Sequence, residues 1–114
     1  MRYMLLIHSS EAAAEFDTLP EDEQKAIFEE YMAISRAPGI VDGNQLQPTA
    51  TATTVRVENG NTLTTDGPFA ETKEALGGYY LFDADDLDTA IELASRIPAA
   101  RMGGAVEVRP VVER

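Results

Sequence analysis

Near the middle of this 114-residue chain, the pair Asn59-Gly60 separates two stretches of strand character, and it constrains the fold more tightly than any other two residues. Both central positions of a type I′ turn need positive φ, which Asn and Gly tolerate best. Residues 51–58 alternate, with Thr53, Val55 and Val57 on one side and Thr54, Arg56 and Glu58 on the other. A two-residue loop then sets Glu58 opposite Asn61, Arg56 opposite Leu63 and Thr53 opposite Asp66. The hairpin therefore carries Asp66 to the far end of a paired strand.

On each side of this hairpin the chain reads strand–helix–strand. Residues 3–8 form an apolar run of the kind that makes a strand buried on both faces. Thr18-Leu19-Pro20-Glu21 offers a capping box with Thr18 as N-cap. Ile27, Tyr31 and Ile34, flanked by Phe28 and Met32, continue as a helical stripe that stops near Arg36, before Pro38. Ile40-Val41 opens a short extended piece. Downstream, residues 76–82 read as an aromatic strand interrupted by Gly77-Gly78. Asp85 is the expected cap of a second helix with Leu87, Ala90, Ile91, Ala94 and Ile97 on its apolar face, ending at Pro98. Residues 105–112 alternate again, with Val106 and Val108 inward and Glu107 and Arg109 outward. The expected fold is α+β: one domain over residues 1–114, with both helices on one face of a mainly antiparallel sheet.

Such a sheet leaves a second face uncovered, expected to expose some of Tyr3, Leu5, Ile7, Tyr79, Leu81 and Val106. An apolar sheet face in water is a liability, and a second copy of the chain would cover it, so a homodimer is expected. Charge narrows the other partners. The net charge is −11, concentrated as −7 over residues 11–30 and −5 over residues 83–92, both at predicted helix starts where carboxylates suit the macrodipole. These clusters read either as solvated helix faces or as a docking patch for a basic protein partner. The acidic surface repels phosphate, so direct nucleic-acid binding is not expected. With no cysteine, no signal-peptide pattern and no membrane-length apolar run, the expectation is a cytoplasmic domain off the membrane.

The stretch richest in chemistry is Asp66-Gly67-Pro68-Phe69-Ala70-Glu71-Thr72-Lys73-Glu74. Gly67-Pro68 sets a turn and directs Phe69 inward as an anchor. Asp66, Glu71, Lys73 and Glu74 follow within nine residues. A carboxylate held among others in a partly buried site has a raised pKa and can act as an acid or base. The alternative is a surface turn stapled by weak salt bridges. His8, the only histidine, is either a partner for Asp66 or a half-buried strand-end residue. Arg56 points either inward beside the motif as an anion ligand or onto a wet sheet face. Ser9-Ser10 lacks a neighbouring base. No metal-ligand spacing occurs, and the run from Asp83 to Asp88 lacks the glycine and terminal Glu of a calcium loop. Gly77-Gly78 and Gly103-Gly104 have no phosphate-loop context, and nothing calls for a cofactor.

The nine residues DGPFAETKE resemble the signature of the DGPF family, a branch of the YCII-related domain proteins. The start MRYMLLI, the TATTVRV and LGGYYL stretches and the closing PAAR and VEVRPV segments are similar to that family as well, so the likeness covers nearly the whole chain. The resemblance implies a ferredoxin-like fold that pairs into a dimeric α+β barrel. It also implies a neighbourhood of extracytoplasmic-function sigma factors, and in the wider YCII group a dehydrochlorinase-like enzyme with a proposed His–Asp pair. The histidine of that pair sits on the first helix, which holds no His in this chain, so the pair does not carry over. Asp66, Gly67, Pro68, Phe69, Glu71, Lys73 and Glu74 match the motif. Two function classes follow. One is a small-molecule pocket near the motif, lined by Asp66, Phe69, Tyr79, Arg56 and His8, with Asp66 as acid or base and Glu71, Lys73 and Glu74 tuning it. The other is a non-catalytic dimeric interaction module that docks a basic partner such as a sigma factor.

Overall fold

A computed structural model describes residues 1–10, 18–67 and 74–114. Its elements are β1 (Arg2–Ser10), α1 (Glu21–Ser35), β2 (Ile40–Gln45), β3 (Thr53–Glu58), β4 (Asn61–Asp66), β5 (Glu74–Asp83), α2 (Leu87–Ser95) and β6 (Ala105–Pro110). The main sheet runs β2-β5-β1-β6 with every neighbouring pair antiparallel, and β3-β4 form a separate two-stranded sheet. The fold is thus α+β with a mainly antiparallel sheet, as the element order predicts. Within one chain the main sheet stays open, with β2 and β6 as its edges.

Strand pairing decides which residues enter the core. Tyr3 lies opposite Phe82, and Leu5 lies between Tyr80 and Val108. Tyr3, Leu5, Ile7, Tyr80 and Phe82 are buried in one cluster with Ile34 of α1 and Ala90, Leu93 and Ala94 of α2. Both helices therefore cover the same face. Tyr3, Leu5, Ile7 and Val106 belong to that covered face, whereas Tyr79 and Leu81 lie opposite Leu6 and Met4 on the other. The β1 run reads as a strand buried twice over, yet one chain fully buries only its odd-numbered side. Met4 and Leu6 are half-buried on the open face.

Three local expectations are corrected. Thr18 is not the N-cap of α1: Pro20 occupies that position with no side-chain cap hydrogen bond, and its carbonyl accepts from the Glu23 and Gln24 amides at 3.0 Å each. A proline with no N–H fits this junction, because helix N-terminal donors have no helical partner in any case. In α2 the cap is Asp86, one residue after the expected Asp85. Its Oδ1 accepts from the Thr89 amide at 2.8 Å and from Thr89 Oγ1 at 2.7 Å. That bond reaches the amide three residues on, a spacing Asp85 misses once the helix starts at Leu87. The buried stripe of α2 is Ala90, Leu93, Ala94 and then Ile97, while Leu87 and Ile91 are 48% and 49% exposed. Alanines at 90 and 94 let the helix sit close to the sheet, which rotates Leu87 and Ile91 outward.

The hairpin register is as expected: Glu58 faces Asn61, Arg56 faces Leu63 and Thr53 faces Asp66. Asn59 and Gly60 take φ of 51° and 78°, the left-handed pair of the type I′ turn. At its base the hairpin is tied by Gly67 N donating to Ala52 O at 2.7 Å and Thr54 Oγ1 donating to Gly67 O at 2.8 Å.

Candidate functional site

A cavity of about 420 Å³ opens between α1 and one end of the main sheet. The roof is the α1 stripe Ile27, Phe28, Tyr31, Met32 and Ser35. Those positions, three and four residues apart, share one helix face. Ile7, Ser9, Tyr79, Tyr80 and four glycines form the opposite wall, and Ala99 and Met102 help close it. The space exists because side chains are missing where the sheet would otherwise fill it: Gly43, Gly77, Gly78 and Gly104 all line it. At Gly43 a Cβ would lie 2.4 Å from the Tyr80 ring, so only glycine lets β2 run beside that ring.

α1 is held above the cavity by polar ties. Tyr80 donates its hydroxyl to the Tyr31 carbonyl at 3.1 Å, and Ser35 Oγ lies 3.4 Å from the same Tyr80 hydroxyl. Arg101 closes a 2.7 Å ion pair with Glu30. Burial pushes the Tyr31 phenol above its ordinary pKa, against the lowering effect of a hydrogen bond from the Ala99 backbone. The phenol therefore stays neutral at physiological pH. No charged side chain lines the cavity among the described residues. Apolar and aromatic walls with hydroxyl and amide groups from Ser9, Ser35 and Gln45 suit a neutral ligand.

Of the pocket residues expected from sequence, Asp66, Phe69, Tyr79, Arg56 and His8, Tyr79 alone among the described ones lines this cavity. Its hydroxyl accepts from Asn44 Nδ2 at 3.0 Å and donates to Asp42 Oδ2 at 3.5 Å. His8 stands on β1 opposite Leu76 and Ala105, with its Nε2 3.5 Å from Glu107 Oε1. The carboxylate beside His8 is thus Glu107 of β6. A hydrogen bond from Arg109 holds the Glu107 carboxyl below its usual range, with His8 adding a smaller pull. Asp66 ends β4, exposed and opposite Thr53, and Arg56 sits exposed in β3 opposite Leu63. Both belong to the hairpin sheet, so strand pairing does not bring them to His8 or Tyr79. Glu74 opens β5 opposite Ser10, three and four residues before the cavity glycines. Phe69, Glu71 and Lys73 lie outside the described residues.

Sequence reasoning assigned Ile27, Phe28, Tyr31 and Met32 to a core stripe and dismissed the Gly pairs as non-phosphate loops. The usable signal was their combination, an aromatic helix face opposite a strand lacking side chains at 77 and 78. Glu107 was also missed as the partner of His8, although antiparallel pairing of the first and last strands would have found it. Among the described residues, no group of three or more His, Cys, Asp or Glu could hold a metal ion. None of their helices is long and apolar enough to cross a membrane.

Comparison with known proteins identifies the wider family. The model of the YCII-related domain matches residues 1–114. An uncharacterized protein of Rhizobium meliloti (strain 1021) is 35% identical over 117 residues, spanning 97% of this chain and 92% of that relative. With a full-length family match and a full-length relative, the chain belongs to the YCII-related domain family.

Proposed function

We propose that this chain is a small-molecule-binding protein of the DGPF branch of its family, and that the cavity beneath α1 takes a neutral, aromatic ligand. The carrying observation is the cavity itself, large enough for a drug-sized ring system and lined without a charged side chain among the described residues. A charged ligand would lose its hydration there with no counter-charge to compensate. The DGPF motif contributes by leading into β5, whose Gly77 and Gly78 line the cavity. Asp66 is the candidate acid–base group only if its segment reaches the bound ligand. Asp66→Asn tests this: loss of turnover with the fold intact assigns it a chemical role, and loss of stability alone assigns a structural one.

The working unit in this reading is a homodimer of ferredoxin-like subunits packed open face to open face as an α+β barrel. Support comes from the open face, where Met4, Leu6 and Leu81 are half-buried between a polar β2 edge bearing Asp42 and Asn44 and a polar β6 edge bearing Glu107 and Arg109. An apolar centre inside a polar rim is the anatomy of a protein interface.

Titration with the uncharged fluorophore N-phenyl-1-naphthylamine tests the cavity. Saturable binding is expected for the native chain and is abolished by Gly77→Leu. A Cβ at 77 meets only Ser9 Oγ at 3.4 Å and the Ile7 carbonyl at 3.9 Å, so the larger side chain fills space without displacing backbone. Equal binding by both proteins would remove the cavity from the function.

A further inference from the structure

The β3–β4 hairpin is built as an arm. Each of its twelve strand residues except Thr54 is exposed, including Val55 at 59%, Val57 at 67% and Leu63 at 45%. Its six-residue strands reach about 20 Å, and the Asn59-Gly60 turn and the ties at Gly67 hold them in register. A two-stranded hairpin alone in water is at best marginally stable. A rigid hairpin with apolar side chains on both faces therefore needs a surface to lie on.

Area gives the scale of what is missing. The chain exposes 8172 Å², whereas a folded monomer of 12.4 kDa exposes about 6,100 Å². Its radius of gyration is 15.9 Å against about 13 Å for a compact chain of this length. The excess of about 2,000 Å² lies within the range that one copy buries in a permanent homodimer, about 1,000–2,500 Å².

Charge points to the occupant. The acidic clusters on the helix segments would repel one another if two copies met helix to helix. The arm face formed by Thr53, Val55, Val57, Thr62, Thr64 and Asp66 carries a single charge, on Asp66 at its base, so Val55 and Val57 stand among uncharged threonines, and Arg56 and Glu58 offset each other on the reverse. A segment that requires its partner in order to stay folded also needs one present whenever the chain is made, which a second copy satisfies. One two-fold axis covers the open sheet face and both arms together.

We propose that the β3–β4 hairpin is a dimerisation arm laid across a second copy of this chain, with Val55 and Val57 as its anchors. This rests on the homodimer proposed above and goes beyond face-to-face packing of the sheets. The test uses the full chain, which has no cysteine, so that Val57→Cys introduces a single thiol. Light scattering is expected to find a dimer for the native chain. In Val55→Glu/Val57→Glu the dimer dissociation constant rises at least 100-fold while far-UV circular dichroism keeps the body's signal, since the arm supplies no residue to the core cluster. In the Val57→Cys dimer, maleimide labelling is at least tenfold slower than for the same protein diluted to monomer. An undiminished dimer in the double-Glu variant, or Val57→Cys labelled at the free-thiol rate within a dimer, overturns the arm and leaves the sheet-face dimer standing. A native chain that is monomeric at tens of micromolar overturns both, and leaves the dye-binding cavity as a separate result.

Discussion

The body and the arm of this protein reach order by opposite routes. In the body, Leu5 and Ile97 are completely buried and Leu93 nearly so, and positions follow from packing two helices on one sheet face. In the arm almost nothing is buried, yet every pairing follows from a two-residue turn. Turn chemistry can set register without a core, because a type I′ turn admits one alignment of the strands it joins. It cannot make the result stable, because stability in water comes from apolar area removed.

The largest effect that separates the two regions belongs to the core. Leu5→Ala should cost about 2–5 kcal/mol, read as a fall in the urea midpoint, because the cavity it leaves sits between Tyr80 and Val108. A cost under 1 kcal/mol would mean that the body is looser than its burial implies. Next comes the turn. Asn59→Ala with Gly60→Ala forces alanine into left-handed backbone at roughly 1–2 kcal/mol per residue. Amide exchange should then show β3 and β4 opening while β1 and β5 keep their protection. If the whole sheet loosens with the arm, the two regions are one cooperative unit.

The smallest effect is the Asp86 cap. Hydrogen bonds from Thr89 hold the Asp86 carboxyl below its usual range, so it is more acidic folded than unfolded. Its contribution is present above the unfolded carboxyl pKa and fades as pH falls through the lower folded value. Asp86→Ala should therefore lower Tm modestly at neutral pH, and the gap from the native chain should close in acid. A gap independent of pH would assign the loss to something other than the charged cap.

How much was legible depended on how local each cause was. The Asn59-Gly60 register needed only the turn residues. The order of strands and helices followed from periodicity. The cap slipped by one residue because Asp85 and Asp86 are chemically equivalent until the helix start is known. The α2 stripe was misread because Leu87 and Ile91 have the right spacing, and only the close approach of Ala90 and Ala94 to the sheet turns them outward. The candidate site was less legible still. His8 and Asp66 belong to different sheets, and the carboxylate 3.5 Å from His8 is that of Glu107 on β6, a neighbour that only strand pairing identifies.

By itself the sequence determined the element order, the hairpin register, the family and the placement of acidic charge on the helix segments. Each of these depends on neighbours within a few residues or on the identity of a motif. Only the tertiary structure decided which face of β1 lies under the helices, that glycines from two strands and the turn before β6 meet below α1 to leave a cavity, and that the hairpin stands away from the core. Those outcomes depend on which distant strands pair, and a strand's alternation looks the same whichever of its faces the helices cover.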